Sequence, residues 1–243
     1  MLARLITACF ALFALVLPAQ GLEFDRLRML TVEEHVPWRG VGRVNIANFS
    51  ERGMCTGTLI SEQLVLTAAH CVVSDRTGKP HQLNNIHFVA GWRQGQRVAH
   101  SRAEEVIVHS EYAPGINSDL DQIASDLALI KLRNPIPNET APYFLVAPSP
   151  GKDSDLTLIS YRRDRAHALT RQRGCKILGE KQGVMALGCD VTFGASGSPL
   201  FTEIDGESRL IGVVSAMSRS RGRAVAWAVR VDKALMEVLD RVD

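Results

Sequence analysis

The stretch Gly194-Ala195-Ser196-Gly197-Ser198-Pro199 places a serine in a glycine-flanked turn. Glycine tolerates backbone angles that other residues resist and leaves room for a substrate, so such a turn exposes a hydroxyl. It can also aim amides at one point. If the N–H groups of Gly194 and Ser196 converge, they form an oxyanion hole for a tetrahedral intermediate, where losing one donor costs about 3 kcal/mol of barrier. Glycine-rich hexapeptides also form ordinary turns. A serine becomes a nucleophile only with a base, and a base needs an orienting acid.

Two further stretches supply those residue types. In Leu66-Thr67-Ala68-Ala69-His70-Cys71 a β-rich run ends in small residues and a histidine. A disulfide from Cys71 to Cys55 would tether the segment bearing His70 to the adjacent strand and add about 3 kcal/mol of stability. In Ser125-Asp126-Leu127-Ala128-Leu129-Ile130-Lys131-Leu132 an aspartate opens an almost wholly apolar strand. Taken singly, a histidine in a β turn and an acid capping a strand mouth are ordinary structural features. Asp119 and Asp121 lie in the polar stretch before that strand and lack its rigid support.

The remaining composition narrows the class. The chain has 243 residues, 46% of them hydrophobic and 22% charged, with a formal net charge of +2. That balance is globular, and the charge is too small to point to nucleic acid as a partner. Residues 1–21 have the parts of a secretory signal: Arg4, an apolar run from Leu5 to Leu17, and the small-residue stretch Ala19-Gln20-Gly21. Ile6-Thr7-Ala8-Cys9 resembles a lipoprotein box, but too few residues precede it for an apolar core upstream of the cut. Export with cleavage near Gly21 is expected, and no later stretch reaches the roughly 18 apolar residues of a membrane helix. Of five cysteines, Cys9 leaves with the signal. The other four suggest two disulfides in an oxidising compartment, with three pairings open. Without a paired CxxC or an HExxH, a metal site has little support.

The elements that must position the three stretches are short and β-rich. Residues 22–36 are charged and irregular, an N-terminal arm or a short pro-segment. Runs then follow at Arg43–Phe49, Thr56–Ile60, Leu64–Thr67, Ile86–Ala90, Arg97–Ser101, Glu105–Val108 and Leu127–Leu132. Polar breaks between them argue a barrel or sandwich. Between Arg133 and Gly151 the chain carries five prolines and few charges, which marks a connection. A boundary near residue 141 therefore separates a unit over 37–140 from one over 141–243. In the second, runs recur at Leu156–Tyr161, Lys176–Leu178, Val184–Cys189, Pro199–Thr202, Leu210–Ala216 and Val225–Val231. A helix follows over Lys233–Arg241, with Leu235, Val238 and Leu239 on one face and Asp232 as its cap.

Taken together, the three motifs resemble the trypsin/chymotrypsin family of serine peptidases, in the same order of histidine, aspartate and serine. The resemblance runs from about Pro37 to Val231. It implies an all-β fold of two six-stranded antiparallel barrels with the site between them, and a C-terminal helix. It implies catalytic roles for His70 as base then acid, Asp126 as its orienting partner and Ser196 as nucleophile, with Gly194 and Ser196 forming the oxyanion hole. Animal members carry an aspartate before the serine to bind a newly cut N-terminus; here that residue is Ala195. The IVGG-like start is also missing, and the GxSGSP form looks closer to the bacterial glutamyl-endopeptidase-like branch. Activity is therefore expected without a buried new N-terminus.

Specificity follows from offset. Six residues before Ser196 stands Asp190, where trypsin-like enzymes carry a carboxylate for basic side chains. Cleavage after basic residues is the resulting expectation; the other reading of Asp190 is a carboxylate bonded to loop amides beside a Cys175–Cys189 disulfide. Ser215 falls in register on the substrate-pairing strand, while Met217 replaces a glycine and would narrow the pocket. Arg162, Arg163, Arg165, Arg171 and Arg173 form one basic cluster and Arg219, Arg221 and Arg223 another. Both are read as solvated loop faces, the second near enough to the cleft to meet an acidic partner.

The expected protein is a secreted or periplasmic, monomeric trypsin-like endopeptidase. It acts on a protein or peptide through an acyl-enzyme, with no cofactor, metal, nucleic acid or stable membrane anchor. The alternative is a catalytically silent family member that binds without cutting.

Overall fold

A computed structural model describes residues 27–47, 52–115, 119–220 and 223–242. The expected signal segment and Arg221 lie outside these. The elements in chain order are β1 (Arg28–Met29), α1 (Val32–His35), β2 (Val41–Ala47), β3 (Arg52–Leu59), β4 (Leu64–Thr67), β5 (Ile86–Ala90), β6 (Ala99–Val108), α2 (Leu120–Ala124), β7 (Ala128–Leu132), β8 (Leu156–Ser160), β9 (Thr170–Cys175), β10 (Ile177–Lys181), β11 (Val184–Leu187), β12 (Pro199–Ile204), β13 (Glu207–Ser220), β14 (Arg223–Arg230) and α3 (Val231–Leu239).

Six strands close a barrel in the order β2-β3-β4-β7-β6-β5, with β5 returning to β2 through the register Val44↔Phe88. Strand β2 shows why: Val44 and Ile46 are buried while Arg43 and Asn45 between them stay partly exposed, the period of a half-buried strand. Leu59, Val65, Phe88, Ile130 and Leu132 complete that interior. The two runs expected at 97–101 and 105–108 are one strand, β6, whose ladder shifts between Ala103 and Glu105. A bulge there changes which face each residue presents, and this breaks the alternation visible in sequence.

The second unit is a sheet ordered β1-β9-β8-β12-β13-β14-β11-β10. Leu158, Met185, Leu187, Leu200, Ile211 and Ala228 pack its core. A third cluster joins the two units: Val41, Leu66, Leu127 and Leu129 from the barrel meet Ile159, Tyr161, Phe201 and Val213 from the sheet. Helix α3 seals this cluster with Val231, Leu235 and Val238. It begins two residues earlier than the sequence suggests, at Val231. Asp232 is therefore in its first turn and paired with Arg230, while the N-cap residue is Arg230 itself.

Two segments depart from expectation. Within the segment read as an N-terminal arm or short pro-segment, the described residues join the second sheet: Arg28 and Met29 pair with Arg171 and Thr170, and Leu30 is buried. A capping box between Thr31 and Glu34 starts α1, and Glu34 also binds Arg28 and Arg171. The hydrogen bonds from Arg28 lead the effects that hold the Glu34 carboxyl down at about 2. Strand β9, Thr-Arg-Gln-Arg-Gly-Cys, is polar enough to read as loop; its strand character comes from pairing with β8 on one side and β1 on the other.

Candidate active site

His70 lies in a 3-10 turn, Ala69–Cys71, that follows β4 directly. A disulfide from Cys71 to Cys55 fastens this turn to β3. Asp126 precedes β7, the partner of β4, so strand pairing brings the two residues together although 56 positions separate them. The Asp126 carboxylate accepts three hydrogen bonds: from the His70 backbone N–H at 2.9 Å, from His70 Nδ1 at 2.7 Å, and from the Ser215 hydroxyl. The last comes from β13 in the second sheet, so both units bind this one carboxylate.

Those donors decide the charge states. Asp126 is only 5% exposed, and burial, the largest influence, works to raise its pKa. The charge and hydrogen bonds of His70 with the Ser215 hydroxyl outweigh it and hold the carboxyl below its ordinary value. For His70 burial is again the largest influence and works downward, but Asp126 and the more distant Asp75 together raise its pKa. With Nδ1 donating to Asp126, the neutral imidazole presents its lone pair at Nε2. The sulfurs of Cys55 and Cys71 lie close to His70, but joined to each other they offer no thiolate for a metal.

The serine turn is set by glycine. Gly194 has φ +90° and Gly197 φ +76°. A Cβ on Gly197 would stand 2.1 Å from the Thr56 carbonyl oxygen and 2.3 Å from Thr67 Oγ1, so the bare backbone is what lets the turn press against the strands leading to His70. The turn is then tied on both sides: Thr56 N–H donates to the Ser196 carbonyl at 2.8 Å, and Gly197 N–H to the Val214 carbonyl at 2.7 Å. Among the described residues no acceptor meets the N–H of Gly194 or of Ser196, the pair expected to form an oxyanion hole. No hydrogen bond joins Ser196 Oγ to His70 Nε2 among the described contacts; catalytic contacts of this kind commonly tighten only when substrate is bound. Ala195 is fully buried in the apolar core of the second sheet.

Beside Ser196 opens a cavity of about 270 Å³, walled by Val191, Phe193, Ala195, Val214, Ala216 and Met217, with Thr192 and Ser215 as its other polar lining. Asp190, expected from its offset to bind substrate, is not among the residues that line this cavity. Its carboxylate is more than half exposed and faces Arg162 Nη2 at 3.6 Å; its carbonyl accepts from Arg162 Nη1 at 2.8 Å, and its N–H donates to Gln172 at 3.0 Å. The carboxylate and the carbonyl of Asp190 are both taken up by the buried Arg162. The second disulfide, Cys175–Cys189, ends at the residue before Asp190. Met217 lines the cavity and is almost half exposed.

The first arginine cluster is largely structural. Arg162 is buried between Asp164 and Asp190, the Arg163 guanidinium lies 5.1 Å from the centre of the Phe193 ring, and Arg171 joins Glu34. Thr56, which touches the serine turn through both backbone and side chain, was missed in the sequence. Its place directly after Cys55, the residue tethered to the His70 turn, was the available signal.

A trypsin family profile matches residues 32–236, and the chain belongs to the trypsin family. Among curated proteins, Trypsin-4 of Rattus norvegicus is 38% identical over 84 residues, 33% of this chain and 28% of that protein. Modular serine protease of Drosophila melanogaster is 32% identical over 84 residues, 33% of this chain and 13% of that protein. The chain thus matches under a third of the length of either relative. The fold is shared far more widely. A Glu endopeptidase solved in complex with MPD superposes with a TM-score of 0.73 at 18% identity, covering 89% of this chain and 95% of that one. Protease Anisep from Arthrobacter nicotinovorans does so at 0.69 and 14% identity, covering 88% and 98%. The expected all-β architecture with a C-terminal helix is therefore the observed one, with one closed six-stranded barrel and, where a second six-stranded barrel was expected, an eight-stranded half-barrel sheet; the expected bacterial branch has its fold counterpart in the Glu endopeptidase.

Proposed function

We propose that this chain is an exported serine endopeptidase in which Ser196, His70 and Asp126 form the catalytic triad. His70 Nε2 takes the Ser196 hydroxyl proton as the oxygen attacks the scissile carbonyl, and the N–H groups of Gly194 and Ser196 receive the negative charge of the tetrahedral intermediate. His70 then protonates the leaving amine. A water, deprotonated by the same imidazole, cleaves the acyl-enzyme. The observation that carries this reading is the triply hydrogen-bonded Asp126 carboxylate, which fixes the His70 ring with Nε2 as acceptor.

The cavity beside Ser196 has apolar walls and no carboxylate, and this favours an apolar residue on the acyl side of the cleaved bond rather than a basic one. Export is supported by the signal-like pattern of residues 1–21 and by two disulfides, which persist in oxidising compartments. Among the described residues no helix is long and apolar enough to cross a membrane. Labelling with a fluorophosphonate probe tests the central claim. The wild type should be labelled and Ser196→Ala should not, whereas a binding protein without catalysis would leave both unlabelled.

A further inference from the structure

The oxyanion turn keeps its shape here without the buried ion pair of the animal enzymes, since Ala195 holds no charge, and the hydrogen bonds around it indicate what takes over. We infer that Thr56 is the positioning residue of the oxyanion hole: it clamps the turn in its active shape and couples it to the Tyr161–Arg163 segment. This rests on the peptidase reading above.

A peptide unit is planar and trans, so fixing a carbonyl also fixes the N–H on its other side. All four carbonyls from Phe193 to Ser196 have donors inside the protein. Phe193 accepts from Arg163 N–H at 2.7 Å, Ala195 from Ser198 N–H at 3.0 Å, and Ser196 from Thr56 N–H at 2.8 Å. Gly194 accepts from the Thr56 hydroxyl at 3.0 Å. Holding the Phe193 and Ala195 carbonyls turns the Gly194 and Ser196 N–H groups the opposite way, toward the position of the oxyanion. The other two bonds come from Thr56, one through its backbone and one through its side chain; they hold the peptide units that follow Gly194 and Ser196, so each unit that carries a hole donor is flanked by one that Thr56 fixes.

The hydroxyl has a second role. Having given its proton to Gly194, it accepts the Tyr161 N–H at 3.0 Å, and Thr56 is completely buried. Tyr161 is itself immobilised, its ring buried and its own hydroxyl bound to the Trp92 carbonyl at 2.8 Å. The clamp is therefore a chain of neutral bonds from a rigid tyrosine through Thr56 to Gly194, with Arg163 N–H closing it at Phe193. It needs no charge and no new N-terminus.

Thr56→Val keeps the shape and removes the hydroxyl, stranding the Tyr161 N–H and the Gly194 carbonyl. Loss of a whole oxyanion donor costs on the order of 100- to 1000-fold in kcat; misaiming one should cost about 10- to 100-fold, with KM changed less than about threefold. Fluorophosphonate labelling should slow in parallel, and Thr56→Ser should recover most of both. A Thr56→Val enzyme whose Tm falls while kcat and labelling rate stay at wild-type level overturns the inference, and so does a Thr56→Ser enzyme as slow as Thr56→Val.

If Thr56→Val does not fold, a pair at position 163 decides. Arg163 opens a 3-10 turn after an extended residue, a place that accepts proline, so Arg163→Pro deletes its N–H with little other strain. Arg163→Ala keeps that N–H and loses only the contact with Phe193. The clamp predicts a kcat for Arg163→Pro clearly below that of Arg163→Ala; equal rates in the two variants overturn it. A wild type that the probe leaves unlabelled defeats the peptidase reading itself, whereas a labelled wild type with unchanged variants defeats the clamp alone.

Discussion

The two halves of the site are held by different physics. On the barrel side, a buried carboxylate and an imidazole sit in contact, and their protonation states follow from three directed hydrogen bonds competing with burial. On the sheet side the bonds that shape the serine turn are neutral: two glycines at positive φ, a buried alanine, a set of backbone hydrogen bonds and the Thr56 hydroxyl. Charge sets reactivity where a proton must move. Steric permission and neutral bonds set geometry where a dipole must only point, so the barrel half should be sensitive to pH and the sheet half to small changes of volume.

That contrast can be broken at several strengths. Ser196→Ala and His70→Ala should each lower kcat by about 10⁴-fold or more, with the folded state retained, as read by peptide hydrolysis and thermal unfolding. Asp126→Asn should approach the same loss, because the amide can hold His70 in the wrong tautomer. On the other side, Gly197→Ala should lose about 3 kcal/mol or more of stability in chemical denaturation, because its methyl would overlap Thr56 and Thr67.

The pH dependence discriminates further. Catalysis needs neutral His70, whose pKa is raised in the folded protein, so kcat/KM should fall with acid along a limb centred above the ordinary histidine value of 6.5. Ser215→Ala removes one donor to Asp126, and its readout is the position of this limb, which should shift while the Gly194 turn is untouched. The smallest effect belongs to Asp190→Asn. It weakens a partly exposed pair with Arg162, and a peptide panel varying the residue before the cleaved bond should return the wild-type preference. A loss of cleavage after arginine in that variant would restore Asp190 to the pocket.

The chemistry-bearing residues were legible in the sequence because each sits in a compact local pattern: His70 at the end of an apolar run, Asp126 at the mouth of another, Ser196 between glycines. So were most strands, whose alternation follows directly from one buried face. Strand β9 was not, since its arginines read as loop and only partners on both edges make it a strand. The arm around Leu30 was missed for the same reason, its β character residing in the neighbour it pairs with.

The sequence by itself thus determined the class of fold, the candidate nucleophile, base and acid, and the absence of a charge at Ala195. Only the tertiary structure decided that Asp190 turns to Arg162 rather than into the pocket, and that Thr56 bridges Tyr161 to Gly194. Both depend on which distant backbone a side chain meets. Residue type and spacing record what a group can donate or accept, while the choice of partner is made by strands that are neighbours in space and far apart in the chain.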